Sequence, residues 1–138
     1  MDLIEVFKRV LQRHGNEIEA LNKDQLSKGM RSDDTRLPRY AKSYLKTRRE
    51  YGRPTAPMDL NLTGDFYSRF FTNFLNDKVL IGSKDFKSEK IEGRFGTKIH
   101  GLTKDNILVM LDEKGVRREF VMECKKELLA NIRNELFR

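Results

Sequence analysis

The chain has 138 residues, 38% of them hydrophobic and 36% charged, and a formal net charge of +7. That length predicts one domain with a modest core, and the excess of Lys and Arg favours contact with a polyanion, although it also suits a surface that is simply well solvated. The single cysteine, Cys124, excludes an intramolecular disulfide; with no basic leader and no long apolar run, we expect a chain that is neither secreted by a standard signal nor membrane-spanning.

Residues 1–27 are predicted to form N-terminal helices. Asp2 and Glu5 have the spacing of a capping pair, and apolar residues recur at helical spacing from Leu3 up to Gly15. A second helical stretch continues to about Ser27, where turn-forming residues follow. The alternative is one helix that is broken at Gly15.

Residues 28–64 contain a loop, a basic helix and a connector. Residues 28–39 are rich in turn formers and charge without apolar periodicity, which indicates a loop. Residues 40–51 alternate tyrosines with Lys and Arg, which predicts a short amphipathic helix with a basic face. Residues 52–64 hold Pro54 and Pro57, two of the three prolines, and should form a stiff connector.

Residues 65–84 carry the signals of a β-hairpin. A helical turn is expected at Gly64, followed by a strand from about Arg69 to Leu75. Asn76-Asp77 is a turn signal, and a second strand should run from Lys78 to Ser83.

Residues 85–138 are predicted to be mainly helical. A short helix should end at Gly96, and Thr103 is a natural N-cap for the next one, although residues 104–122 could form a hairpin instead. Apolar residues at steps of three and four then predict a C-terminal helix of about twenty residues, with Cys124 at a core-facing position. The stripe consists of Val121, Cys124, Leu128, Ile132 and Leu136. The whole chain, residues 1–138, is thus predicted to be a single α+β domain with N-terminal helices, a central β-hairpin or small antiparallel sheet, and C-terminal helices.

The basic segment from Arg36 to Arg53 is a candidate nucleic-acid site. Lys and Arg would contact phosphates while tyrosines stack on bases. The alternative is that Tyr40 and Tyr44 point inward and leave a basic face to solvent. The polyanion-contact candidates are Lys42, Lys46, Arg48 and Arg49.

Catalytic and metal-binding patterns are weak. His14, His100 and Cys124 are far apart and lack metal-ligand spacing, so neither a metal nor another cofactor is expected. Asp59, followed later by Asp85-Phe86-Lys87, distantly resembles the Asp and Asp-x-Lys pattern of metal-dependent nucleases, in which carboxylates hold a divalent cation. Such strings are frequent in a highly charged chain, and we therefore predict that the protein is not an enzyme.

Several strings together resemble a known family. They are Leu37-Pro38-Arg39-Tyr40-Ala41-Lys42-Ser43-Tyr44 with Lys46 to Arg49, Gly52-Arg53-Pro54-Thr55, Leu62-Thr63-Gly64-Asp65-Phe66-Tyr67 to Phe70, and Phe95-Gly96 with His100-Gly101-Leu102-Thr103. This pattern resembles a family of small phage and prophage proteins of the Bacteroides group. More distantly, it is similar to the tail-completion and minor-tail (neck) proteins of long-tailed phages. The resemblance favours the helix over the hairpin in residues 104–122.

That resemblance implies a virion structural protein of the neck or tail, made in the host cytoplasm. It implies a homo-oligomeric ring that contacts portal, connector or tail proteins, with its basic face close to packaged DNA. The residues of the identifying string are expected to be structural: Thr63, Gly64, Phe66, Tyr67 and Phe70. The residues expected to contact partners are Arg36, Arg39, Arg53, Thr55, Asp59 and Asn61.

Overall fold

Helices at both ends of the chain flank one two-stranded antiparallel sheet in the computed structural model, which describes residues 1–137. This arrangement confirms the predicted α+β fold class. The elements are α1 (Leu3–Gln12), α2 (Gly15–Ser27), α3 (Lys42–Glu50), α4 (Asp65–Ser68), β1 (Phe70–Phe74), β2 (Val79–Ser83), α5 (Ser88–Phe95), α6 (Lys104–Leu108) and α7 (Val116–Leu136).

The N-terminal region forms two helices rather than one interrupted helix. The Asp2 carboxylate accepts a hydrogen bond from the Ile4 amide at 3.0 Å, so it caps α1 as its position predicts. The α1 helix ends at Gln12, and α2 begins at Gly15 after a short turn.

The central hairpin has the predicted position. β1 and β2 pair from Phe70 opposite Ser83 to Phe74 opposite Val79. Gly64 precedes the single turn of α4 and has a φ of 91°, a left-handed backbone conformation that glycine adopts without strain. The prediction that Gly64 is needed for this turn is confirmed.

Two clusters of buried apolar side chains form the core, and α2 contributes to both of them. The first cluster contains Leu26, Leu37, Met58, Phe66, Phe70 and Ile99. The second contains Val10, Ile18, Met110 and Val116. Phe66 and Phe70 are therefore core residues, as predicted for the identifying string, and Met58 anchors the connector in the same cluster.

Residues 104–122 are helical, so the hairpin alternative is wrong. The Thr103 hydroxyl accepts a hydrogen bond from the Asn106 amide at 3.3 Å and caps α6. The α6 helix continues into a π-helical turn over Val109–Glu113. Gly115, with a φ of 80°, then allows the chain to reverse into α7.

Two buried amides join α2 to the segment that precedes α6. The Asn22 side chain donates to the Ile99 carbonyl at 3.0 Å and accepts from the Gly101 amide at 2.9 Å. The Gln25 side chain accepts from the Thr103 amide at 2.8 Å. These bonds satisfy buried and partly buried backbone groups, and they hold the start of α6 against α2.

Candidate functional site

Arg48 lies inside the connector and not on the basic face of α3. The residue is 0% exposed. Nε and Nη2 donate to the Pro54 carbonyl at 3.0 and 2.7 Å, and Nη1 donates to the Asn61 carbonyl. The guanidinium group therefore binds two backbone positions near opposite ends of the connector, and the prediction that Arg48 contacts a polyanion is wrong.

Asp59 is the buried counter-ion of Arg48. Its Oδ1 atom lies 2.9 Å from Arg48 Nη2 and accepts a further hydrogen bond from the Tyr40 hydroxyl at 3.1 Å. The Tyr40 ring also lies beneath the guanidinium group, with 4.6 Å between its centroid and Arg48 Cζ. A buried arginine requires such an opposite charge and hydrogen-bond partners. The prediction that Asp59 faces a partner is therefore wrong.

Tyr40 and Tyr67 join Arg48 and Asp59 to form what we call the Arg48 cluster. Tyr67 donates its hydroxyl hydrogen to the Asp59 carbonyl, and Tyr40 accepts from the Asp59 and Leu60 amides at 3.1 and 3.2 Å. Burial raises the pKa of both hydroxyl groups, with the nearby Asp59 carboxylate acting in the same direction. Both tyrosines consequently stay protonated and act as fixed donors that shape the connector.

The remaining predicted contact residues divide into two groups. In the connector, Arg53 is half-buried and donates from Nε to the Leu62 carbonyl at 2.7 Å, while Thr55 and Asn61 are also half-buried. The Asn61 amide donates to Asp59 Oδ1 at 3.0 Å. The exposed group consists of Arg36, Arg39, Lys42, Lys46 and Arg49.

A cleft of about 960 Å³ opens beside the connector. Its lining comes mainly from three stretches of the chain, within residues 38–44, 58–66 and 85–95. Phe86 stands at the rim with 83% of its surface exposed, and Lys87 Nζ lies 5.5 Å from its ring centroid. The cations that line the cleft outside the Arg48 cluster are Arg31, Arg39, Lys87, Lys90 and Arg94.

Only one of the stretches that line this cleft was predicted from the sequence as a binding segment. Arg39, Tyr40 and Tyr44 belong to the segment predicted to bind a polyanion, but the cations of α5 were not predicted because they lie about 50 residues further along the chain. Only tertiary structure brings the two segments together. With five cations and several aromatic rings beside Asp65 and Asp85 in its lining, the cleft suits an anionic ligand that also has flat or apolar groups.

One of the two carboxylates of the nuclease-like pattern, Asp59, belongs to the Arg48 cluster. Asp59 is engaged by Arg48 and Tyr40, whereas Asp85 lines the cleft beside Phe86. Within residues 1–137, no group of three or more His, Cys, Asp or Glu side chains is placed to hold a metal ion.

The longest helix, α7, packs on α1 through its acidic side. Arg9 of α1 and Arg13, the residue directly after α1, contact Glu127 and Glu123 at 3.0 and 3.2 Å, which shows that the two helices are antiparallel. The rings of Phe7 and Phe120 meet edge to face with 5.2 Å between their centroids. At about 100° per residue, positions 116, 120, 123 and 127 fall on one side of α7, and this side faces the protein.

The opposite side of α7 is apolar and exposed. Six of its side chains are between 40% and 72% exposed: Val121, Met122, Leu128, Leu129, Ile132 and Leu136. Sequence reasoning predicts that the stripe containing Cys124 faces the core, but Cys124 is only half-buried and the rest of its stripe faces solvent. That prediction is wrong because ion pairs and Phe120, rather than the aliphatic stripe, make the contact with α1. No helix within residues 1–137 combines the length and apolar character needed to cross a membrane.

Charge is distributed unevenly around α7. Glu119, Glu123 and Glu127 lie on the side that faces α1, where arginines contact them. The outer side and its flanks carry five cations: Arg117, Arg118, Lys125, Lys126 and Arg133. The exposed surface of α7 is therefore both apolar and basic.

His14 joins the turn between α1 and α2 to the beginning of α7. Its Nδ1 atom lies 2.7 Å from Glu17 and its Nε2 atom 3.1 Å from Glu119. Burial alone would lower the pKa of His14, but hydrogen bonds to the two carboxylates outweigh it and raise the pKa. Protonated His14 thus stabilises the packing of α7 against the N-terminal helices.

No protein-family model, curated protein or solved structure matches this chain.

Proposed function

We propose that this protein is a structural subunit that acts through protein–protein contacts, of the neck or tail-completion type in a phage virion. The exposed apolar side of α7 is the observation that carries the proposal. Monomeric proteins rarely expose contiguous apolar patches larger than a few hundred Å². Six large aliphatic side chains on one helix face form a surface that a partner protein would cover.

The N-terminal half of α7 gives this surface a rigid support, which favours a permanent structural role, while Leu128, Leu129, Ile132 and Leu136 lie in the half that is exposed on every side. Ion pairs, aromatic packing and His14 hold α7 against α1 and α2 along its N-terminal half. The partner therefore meets a preformed helix, and binding requires little additional ordering. The phage context itself rests on the resemblance of the string from Leu62 to Phe70.

In such an assembly, several copies would form a ring with portal, connector or tail proteins. A ring requires two different faces on each subunit, because neighbours meet head to tail. The exposed residues Arg36 and Arg39 with the cleft would belong to the contacts between copies, while the α7 side would contact a portal, connector or tail protein. Positive charge on the side with Arg36 and Arg39 would also suit a position beside packaged DNA.

The test is mass spectrometry of purified virions of the phage that encodes the chain, combined with variants of α7. We expect the wild-type protein in virions at several copies per particle. Leu129→Asp should abolish its incorporation, while Asn131→Asp, an exposed change two residues away on a different side of α7, should leave incorporation intact. Circular dichroism would establish that both variants fold. A protein absent from purified virions would refute the proposal.

DNA binding by the isolated monomer is a second candidate function. Lys42, Lys46 and Arg49 are exposed and follow one another at steps of four and three, which places them on one face of α3. Fluorescence anisotropy with single-stranded DNA at several salt concentrations tests this function. Salt-dependent binding that is lost in Lys46→Glu with Arg49→Glu would support it, and equal binding by this double variant would exclude α3 as the contact.

A further inference from the structure

The outer side of α7 has a cation in the middle of its apolar stripe. Steps of three and four residues place Val121, Lys125, Leu128, Ile132 and Leu136 on the same side of the helix. Lys125 is exposed and makes no ion pair within residues 1–137. Its neighbour Lys126 differs, because it lies toward the flank and its Nζ is 3.8 Å from Glu123.

A central cation restricts what can cover this surface. A second copy that paired through the same side of α7 would set two basic helix sides, each with Lys125, Arg118 and Arg133, against one another, and like charges in an interface disfavour association. A helix lying in a bilayer surface keeps its charges on the polar side, whereas here Lys125 would be submerged with the aliphatic residues. A protein groove can place a carboxylate opposite Lys125.

We propose that α7 docks into an apolar groove of a different protein, one that carries an acidic rim and a carboxylate opposite Lys125. This inference rests on the proposed function, since it specifies which partner the structural subunit would contact. The mode is that of an amphipathic helix in a groove, with Val121, Leu128, Ile132 and Leu136 as anchors. The acidic rim would complement the flanking cations Arg117, Arg118 and Arg133.

The test uses the full-length protein and two defined probes. One is a fluorescent three-heptad peptide with Leu and Ile at the a and d positions and Glu at e and g, and the other carries Lys at e and g. We expect the acidic peptide to bind at least about tenfold more tightly than the basic peptide in anisotropy titrations, a ratio that one well-placed charge pair can supply. Leu128→Asp should abolish binding.

The decisive comparison is between two adjacent lysines. Lys125→Glu should weaken binding of the acidic peptide by about tenfold or more, while Lys126→Glu should change it by less than about threefold, because only Lys125 lies within the stripe. The inference would be overturned if the two variants had equal effects or if the two peptides bound equally well. It would also be overturned if the protein bound vesicles with 30% anionic lipid more tightly than it binds the acidic peptide. A dimer in sedimentation experiments that Lys125→Glu strengthens would also overturn it.

These outcomes are separable from those of the virion experiment. A protein that prefers the acidic peptide through Lys125 but is absent from virions would leave the inference standing and remove the phage role. A protein present in virions that shows no such preference would leave the role standing and remove the inference.

Discussion

Removal of the Arg48 side chain should destabilise the whole domain. Arg48→Ala leaves the Asp59 carboxylate without its cation and the Pro54 and Asn61 carbonyls without their donors. Breaking a buried ion pair by removing one partner costs about 3–5 kcal/mol. Because Asp59 keeps hydrogen bonds from Tyr40 and the Asn61 amide, we expect the lower part of that range, about 3.5 kcal/mol.

Urea unfolding followed by circular dichroism measures this loss directly. With a denaturant slope of about 2 kcal/mol per molar urea, the unfolding midpoint of Arg48→Ala should fall by roughly 1.8 M. The matched control is Arg49→Ala, the exposed neighbour on the same helix, for which we expect a change within about 0.5 kcal/mol.

A double-mutant cycle separates the ion pair from general packing. Asp59→Asn removes the buried negative charge, so Arg48→Ala should cost less in that background than in the wild-type protein, with a coupling energy of about 1–3 kcal/mol. If Arg48→Ala shifts the midpoint no further than Arg49→Ala does, the guanidinium group does not hold the connector and the reasoning fails.

Three further predictions concern other parts of the fold. Because folding raises the pKa of His14, its protonation stabilises the protein fully below about pH 6.5, and this contribution is lost as the pH rises through the folded-state pKa. The stability difference in urea between wild type and His14→Gln should therefore be larger at pH 5.5 than at pH 8.5. An equal difference at both pH values would contradict this prediction. This comparison also cancels the opposite contribution of His100, whose pKa burial lowers despite Glu92. Asn22→Ala leaves the buried Ile99 carbonyl and the partly buried Gly101 amide unpaired and should lower the free energy of unfolding by about 2–3 kcal/mol, a loss that a change under about 0.5 kcal/mol would disprove. Gly82→Ala places a methyl group 2.8 Å from the Phe71 ring, so thermal unfolding should show a loss of about 1–3 kcal/mol, and an unchanged melting temperature would show that the hairpin absorbs the contact.

The packing of α7 shows what helical periodicity can and cannot predict. Apolar residues at steps of three and four correctly indicate a long helix from Val116 to Leu136. They do not indicate what covers the stripe, because a surface reserved for a partner and a surface buried in the chain's own core have the same spacing. Here Arg9 and Arg13 attract the acidic side of α7 and leave the aliphatic side outside.

Local signals in the sequence determined the elements of this protein. The Asp2 and Thr103 caps, Gly64 and the hairpin turn act within about four residues of themselves, so the chain's own neighbours decide them. The α+β class and the core positions of Phe66 and Phe70 were also predicted correctly, but a place next to a turn does not by itself bury a phenylalanine, since Phe86 is 83% exposed.

Only the tertiary structure decided which charged side chains are buried and which line the cleft. Arg48 looks like one of several exposed cations in the sequence, yet Asp59 and two connector carbonyls draw it inside because they return to the same point in space. The cleft likewise depends on α5 and residues 38–44 coming together in the fold. Burial of a charge depends on the sum of distant partners, and that sum exists only after the chain has folded.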